Sequence, residues 1–236
     1  MLRRLSEREA IRTRGRRHRL LTAGVGLVAA VGAGVVVWEG FPKAKWLPRY
    51  GLKDAVVAKN LGQVEPRLWR SGQMSPLVVA PTLSRLDLDL IVSLSPDNPK
   101  NPQNMAEYRA ARRLGIERVH VDLSGDGTGD PMEYVDALRH VITARENGER
   151  VLVHCWAGSE RTSGVIALYK TLYRGEDADT ASAEMGDFGH EYEEGVLIDY
   201  LNDNVAFIAN ELAHPSDGRE PVLTNLPDEL PVFTVP

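Results

Sequence analysis

Hydrophobic and polar positions along the chain alternate between short apolar runs and longer segments with apolar residues at helical spacing. Four apolar runs predict strands at about 68–70, 88–94, 116–121 and 150–153. Segments with helical spacing predict helices at about 75–86, 103–114, 131–147, 162–173, 180–185 and 192–212. Because strands and helices alternate, we expect an α/β fold in which helices flank a central sheet.

The segment 154–162 carries the strongest chemical signal. It reads His-Cys-Trp-Ala-Gly-Ser-Glu-Arg-Thr, and its cysteine, the only one in the chain, precedes the arginine by six positions. A loop between a strand and a helix gathers backbone N–H groups at the positive end of the helix dipole, and an arginine binds two oxygens of a phosphoryl group. Such surroundings favour the nucleophilic thiolate. The pattern therefore predicts a site that cleaves phosphate esters, with a buried structural cysteine beside a helix cap as the alternative.

The spacing His-Cys-x-x-Gly-x-x-Arg-Thr resembles the active-site motif of the cysteine-based protein tyrosine phosphatases, in particular their compact dual-specificity branch. The resemblance extends over about 63–212, and Leu-Trp-Arg-Ser-Gly-Gln at 68–73 is similar to an opening strand and turn of bacterial members. It implies a central mixed sheet flanked by helices and hydrolysis of phosphomonoesters through a phosphocysteine intermediate.

The chemistry of ester cleavage and the resemblance together give roles to individual residues. Cys155 is the expected nucleophile, and Arg161 is expected to bind the phosphoryl oxygens. His154 tunes the thiolate or is a structural histidine, while Thr162 donates its hydroxyl to the sulfur, caps the helix or does both. The predicted phosphate-binding residues are Trp156, Ala157, Gly158, Ser159, Glu160 and Arg161.

A general acid is expected in the glycine-rich loop 122–131, which follows the third predicted strand. This loop contains Asp122, Asp126 and Asp130. We choose Asp126, because its Asp-Gly-Thr-Gly-Asp-Pro context resembles the acid loop of the family and its glycines allow movement. Plain turn residues are the alternative for each aspartate. The scheme requires neither a metal ion nor a cofactor, and the loop lacks the ligand spacing of a calcium site.

The N-terminal part of the chain differs in composition from the rest. Residues 1–19 hold eight arginines and two glutamates, and the uncharged segment 20–38 would span roughly 28 Å as a helix. We interpret 20–38 as a single transmembrane helix, with the catalytic domain outside the cytoplasm because the arginines favour the inner side. A cleaved signal peptide, a buried core helix, twin-arginine export and an organellar presequence are the alternatives. Residues 39–62 are expected to be a linker, 63–212 the catalytic domain and 213–236 a proline-rich tail that lies on the domain or is disordered.

Charge also limits the partners. Beyond residue 19 the chain has 20 basic and 31 acidic residues, a formal net charge of −11, which argues against binding nucleic acid. The absence of basic side chains in 156–160 disfavours polyanionic inositides, so a phosphoprotein is the expected substrate, with lipid or glycolipid phosphomonoesters as the second class. An inactive phosphate-binding module and a sulfurtransferase are the remaining alternatives.

Overall fold

The computed structural model describes residues 56–191 and 195–236. In this part of the chain the strands and helices follow one another as β1 (Gly62–Glu65), β2 (Leu68–Gly72), α1 (Val79–Leu86), β3 (Leu90–Ser93), α2 (Pro102–Leu114), β4 (Glu117–His120), α3 (Pro131–Glu146), β5 (Val151–Cys155), α4 (Glu160–Leu168), α5 (Ala178–Asp187) and α6 (Val196–Ala213). Helix α4 continues into a π-helical turn, Tyr169–Tyr173.

The strands form one mixed sheet with the order β1-β2-β5-β3-β4. Strands β2, β5, β3 and β4 run parallel, while β1 pairs with β2 in the antiparallel direction. The predicted α/β fold with a mixed sheet is thus confirmed. The edge strand β1 was not predicted, because Gly-Gln-Val-Glu contains a single large apolar residue and shows no alternation.

Both faces of the sheet are covered, and successive residues of one strand face opposite sides. In β5, Val151 and Val153 pack in the larger core with α3, α4 and α6, whereas Leu152 packs in the smaller core with α1 and α2. Every residue of β5 and of β3 is therefore buried. This burial explains why these strands are continuous apolar runs. Strand β5 ends at Cys155, and the loop 156–159 follows it.

Helix α3 starts where the sequence predicts it. The side chain of Asp130 accepts a hydrogen bond from Met132 N at 2.9 Å, and Pro131 occupies the first helical turn. Helix α2 begins in the same way at Asn101, whose side chain accepts a bond from Gln103 N at 2.8 Å. These caps anchor the two loops that lie at the end of the sheet next to Cys155.

The folded domain extends beyond the predicted range 63–212 at both ends. Ala58 and Leu61, which lie in the predicted linker 39–62, pack against the smaller core. In the C-terminal segment, Leu223 and Phe233 are buried in the larger core, so this tail lies on the domain.

The predicted membrane helix, 20–38, lies outside the described residues, as do 1–19 and the linker up to residue 55. Within 56–191 and 195–236, no helix has both the length and the apolar character needed to cross a bilayer.

Candidate active site

Cys155 is the last residue of β5, and the segment 156–159 connects it to α4. The backbone of Cys155 pairs with Gly72 of β2, so the sulfur lies at the edge where the parallel strands end. The cysteine is 1% exposed. Its Sγ accepts a hydrogen bond from Gly158 N at 3.1 Å. The loop thus bends back so that a backbone N–H group contacts the sulfur.

The carbonyl groups of this loop are held on its outer side. Three of them accept hydrogen bonds from other parts of the domain: Trp156 O from Gln73 N at 3.1 Å, Ala157 O from Asn60 Nδ2 at 3.0 Å and Gly158 O from Arg70 Nη2 at 2.8 Å. In a trans peptide the N–H of the next residue points the opposite way. No cis peptide occurs in the described residues. The following N–H groups, those of 157–159, therefore face the inside of the loop, as the bond from Gly158 N to the sulfur shows.

Arg161 lies in the first turn of α4 and is 8% exposed. Its Nη1 donates to Leu94 O at 3.3 Å, which orients the guanidinium. Together with Trp156 it lines a cavity of about 710 Å³, whose other lining residues include Ser95, Asp122, Asp130 and Glu133. The structure thus brings the predicted cysteine and arginine to the same end of the sheet.

Several buried polar atoms near this loop have no hydrogen-bond partner among the described residues, among them Arg161 Nε, Thr162 Oγ1, Ser95 Oγ and His154 Nε2. The predicted bond from Thr162 to the sulfur is therefore not formed in this structure. Buried polar atoms are nearly always satisfied, by protein, water or ligand. An oxygen-rich anion held in the loop would offer acceptors to such donors.

His154 directly precedes Cys155 and is 1% exposed. Its Nε2 lies 3.0 Å from Glu107 Oε2, and its Nδ1 lies 3.4 Å from Cys155 O. Glu107 comes from α2 and also accepts a bond from Arg118 Nε at 2.8 Å. Burial by itself would raise the pKa of Glu107, but His154 and Arg118 outweigh it and lower this pKa to about 2. Glu107 was not predicted as part of the site, since nothing in the neighbouring sequence distinguishes it from a surface glutamate of a helix.

Arg70 supports the loop from beneath. Its side chain is buried, and Nη2 donates both to Gly158 O and to Ser163 Oγ, the latter at 2.7 Å. The guanidinium carbon lies 3.8 Å from the centroid of the Phe188 ring, in cation–π geometry. Burial lowers the pKa of Arg70 to about 10, while Glu184 and Cys155 act in the opposite direction. Arg70 is therefore still cationic at neutral pH.

The predicted general acid, Asp126, lies in a turn of the loop 122–131. Its Oδ1 accepts hydrogen bonds from Ser124 Oγ (2.8 Å), Thr128 N (3.0 Å) and Thr128 Oγ1 (2.8 Å). The backbone bond from Thr128, followed by the two hydroxyl bonds, lowers the pKa of Asp126. Its neighbours in the loop are placed differently: Asp122 lines the cavity beside Arg161, and Asp130 lines the cavity while capping α3. In this conformation Asp126 is held as a carboxylate, so proton donation requires the turn to open.

Among the other predicted loop residues, Glu160 has a defined partner. Its Oε2 lies 2.5 Å from Nδ1 of His190, a buried residue that follows α5. The carboxylate is thus paired at the side of the loop. Ser159 precedes α4 without making a side-chain capping bond. Within the described residues, no group of three or more His, Cys, Asp or Glu side chains could hold a metal ion.

Comparisons with known proteins agree with this geometry. No family model matches the chain. The chain is 32% identical over 134 residues to the dual specificity protein phosphatase TpbA of Pseudomonas aeruginosa, and the match spans 56% of each protein. The chain thus aligns with little more than half the length of this relative.

Solved structures extend the similarity to the fold. The crystal structure of P. aeruginosa TpbA has 26% sequence identity and a TM-score of 0.54, with 66% of this chain and 92% of that chain covered. The core catalytic domain of the PP-IP phosphatase SIW14 from S. cerevisiae has a TM-score of 0.52 at 20% identity, covering 66% of this chain and 94% of that one. The described part of the chain therefore has the α/β fold of these phosphatases.

Proposed function

We propose that this chain is a member of the cysteine-based protein tyrosine phosphatase superfamily, of the dual-specificity type, and hydrolyses phosphomonoesters. The observation that carries the proposal is the loop around Cys155, whose carbonyls are held outward and whose N–H groups face the sulfur. Arg161 at the start of the following helix completes an anion-binding site. The similarity to TpbA supports the same activity.

In the proposed first step, the Cys155 thiolate attacks phosphorus, an S–P bond forms and the bond from phosphorus to the leaving oxygen breaks. The inward N–H groups and Arg161 stabilise the charge on the phosphoryl oxygens. Asp126 gives its proton to the leaving oxygen. In the second step water attacks phosphorus, Asp126 accepts a proton from it, and the S–P bond breaks to release phosphate and the thiolate.

A phosphoprotein is the proposed substrate class. The carboxylates of Asp122, Asp130 and Glu133 line the cavity beside Arg161, and they repel substrates that carry several further negative charges. TpbA itself has been crystallised, as a cysteine-to-serine variant, in complex with pTyr. Lipid or glycolipid phosphomonoesters are the second candidate, because the predicted membrane segment would bring the enzyme close to head groups.

The activity is tested with the purified chain and a generic aryl phosphate. We expect release of phosphate by the wild type and no turnover by Cys155→Ser. Rapid quenching during turnover of a good substrate, followed by mass spectrometry, is expected to reveal a phosphorylated Cys155. Phosphate binding without turnover by the wild type would instead favour an inactive phosphate-binding module, and turnover retained in Cys155→Ser would exclude the mechanism.

We further propose that residues 20–38 anchor the protein as a single-pass helix, with the catalytic domain on the extracytoplasmic side. The arginines of 1–19 and the lack of charge in 20–38 support this topology. A protease added to intact spheroplasts should digest the catalytic domain and leave a tag at residue 1 intact. Protection of the domain in intact spheroplasts, with digestion only after detergent is added, would reverse the topology.

A further inference from the structure

Glu107 is a buried carboxylate that the proposed mechanism does not use. It lies in the middle of α2 and is 2% exposed. Three side chains contact its two oxygens: Arg118 Nε donates to Oε1 at 2.8 Å, Gln73 Nε2 donates to Oε2 at 3.1 Å, and His154 Nε2 lies 3.0 Å from Oε2. Burying a carboxylate costs several kcal/mol in lost solvation unless nearby charges and hydrogen bonds offset it. These three contacts supply that compensation.

The charges that face Glu107 come from two strands of the sheet. Arg118 belongs to β4 and His154 to β5, and Asp97 pairs with Arg118 from the exposed side at 3.2 Å. Because these cations lower the pKa of Glu107 to about 2 against the effect of burial, the carboxylate is ionised at neutral pH.

The contacts of His154 place it beside a buried negative charge. Nε2 lies 3.0 Å from Glu107 Oε2, an ion-pair distance, but has no hydrogen-bond partner among the described residues, and Nδ1 lies 3.4 Å from the carbonyl oxygen of Cys155. An ionised carboxylate at this distance in a buried site attracts a positive charge on the imidazole ring.

His154 directly precedes Cys155 in the chain, so its ring lies close to the sulfur. A positive charge close to a cysteine favours the thiolate over the thiol, the more so in an interior from which water is largely excluded. Glu107 also bonds Gln73, whose backbone N donates to Trp156 O in the phosphate loop. One carboxylate thus contacts the residue before the nucleophile and the residue that holds the first loop carbonyl.

We propose that Glu107 is a positioning residue that holds His154 as an imidazolium behind Cys155 and thereby keeps the sulfur ionised. The catalytic consequence rests on the proposed phosphatase function, but the effect on the sulfur does not. Glu107 touches neither the loop interior nor the sulfur, so it acts through His154.

The test follows the ultraviolet absorbance of the thiolate against pH in the purified, intact chain. Cys155 is the only cysteine, so the signal reports this sulfur alone. Glu107→Gln keeps the shape of the side chain and removes its charge. We expect the midpoint of thiolate formation to move up by about one pH unit, a tenfold change in the ionisation equilibrium.

The control is Asp97→Asn, which removes the other carboxylate next to Arg118 and is expected to leave the midpoint unchanged. An unchanged midpoint in a folded Glu107→Gln protein would overturn the proposal.

A second variant separates this role from a purely structural one. His154→Asn should raise the midpoint by a similar amount, and Glu107→Gln added to it should raise it no further, because the two residues act as a unit. Additive shifts would overturn the proposal.

With an aryl phosphate as substrate, kcat/KM of the Glu107→Gln variant should be lower than that of the wild type at pH values below the variant's midpoint of thiolate formation. At pH values above this midpoint, the two kcat/KM values should become similar. A loss of equal size at all pH values would point to misfolding of the loop and overturn the assigned role. If the wild type hydrolyses no ester, the phosphatase proposal fails, while the absorbance measurement still decides the role of Glu107.

Discussion

Gly72 and Gly158 pack backbone against backbone next to the sulfur of Cys155. A Cβ atom on Gly158, whose φ is +78°, would lie 2.6 Å from Gly72 N. A Cβ atom on Gly72 would lie 2.6 Å from Ala157 O. The end of β2 and the loop 156–159 are therefore so close that neither glycine has room for a Cβ atom. Because the two backbones are this close, Gln73 N can donate a hydrogen bond to Trp156 O. Gly158 is thus required for two reasons: it adopts the positive φ of the tight turn, and it lets the loop pack against strand β2, which is far away in sequence.

Gly72→Ala is expected to displace the phosphate loop, because the added methyl group meets backbone atoms that have no rotamer to change. Overpacking of this kind costs about 1–3 kcal/mol in the free energy of unfolding, and a loop displaced by about 1 Å lowers turnover roughly a hundredfold. Urea unfolding and the kcat for an aryl phosphate measure both effects. Gly125→Ala is the control for stability, since a Cβ there meets no atom within 4 Å. Equal stability and activity of Gly72→Ala and the wild type would contradict the packing argument.

Arg70→Met is expected to lower both stability and turnover. The change removes the donor to Gly158 O and Ser163 Oγ, and each buried acceptor left without a partner costs about 1–3 kcal/mol. The freed Gly158 carbonyl also no longer fixes the loop. The matched control is Arg67→Met, which removes an exposed arginine that bonds Gly148 O at the opposite end of β5. Similar losses in the two variants, measured by urea unfolding and by kcat, would show that Arg70 has no special role at the loop.

The elements predicted from the sequence are those whose signals are local. Strand β5 is a continuous apolar run because both faces of the sheet are covered, and α3 is marked by Asp130 and Pro131 at its start. The positions of Cys155 and Arg161 at one end of the sheet were predictable because the loop that joins them is made within nine consecutive residues. A site that is formed by consecutive residues can be recognised in the sequence as a motif.

The supporting residues have no such signal. Arg70 and Asn60 bond carbonyls of the loop 156–159 from 88 and 97 residues away, and Glu107 of helix α2 lies beside His154 of strand β5. Their chemistry depends on which strands become neighbours, and spacing along the chain does not show that. The same reason applies to the tail, where burial of Phe233 depends on contacts with distant helices and not on periodicity.

Glu107 should make the stability of the protein depend on pH in the acid range. Its pKa in the folded state is about 2, below the ordinary value of 4.5, so its stabilising contribution is complete above about pH 5 and is lost as the pH falls towards 2. The size of this contribution is on the order of 3 kcal/mol. The difference in unfolding free energy between wild type and Glu107→Gln, measured in urea at a series of pH values, should therefore shrink from pH 5 to pH 2. A constant difference would show that Glu107 is not held as a carboxylate.

Asp126→Asn is expected to lower kcat by about two to four orders of magnitude for a substrate with a poor leaving group, and much less for one with a good leaving group. The contrast arises because only a poor leaving oxygen needs a proton. The comparison must include Asp122→Asn, since Asp122 lines the cavity beside Arg161 whereas Asp126 is bonded to Ser124 and Thr128. If Asp122→Asn shows the dependence on the leaving group and Asp126→Asn does not, the general acid is Asp122.

The C-terminal tail should contribute to the stability of the domain through Phe233. Its ring is 2% exposed, and its backbone is fixed to α6 by a reciprocal pair of hydrogen bonds with Asn202, one from Nδ2 to Phe233 O at 2.9 Å and one from Phe233 N to Oδ1 at 2.8 Å. Phe233→Ala leaves a cavity in the larger core and is expected to lower the free energy of unfolding by about 3–5 kcal/mol. Val232→Ala, which truncates an exposed neighbour, should change it by less than about 0.5 kcal/mol. Because Phe233, α6 and β5 pack in the same core, Phe233→Ala should also lower the temperature at which hydrolysis of an aryl phosphate is lost. Equal stabilities of the two variants would mean that the tail detaches from the domain in solution.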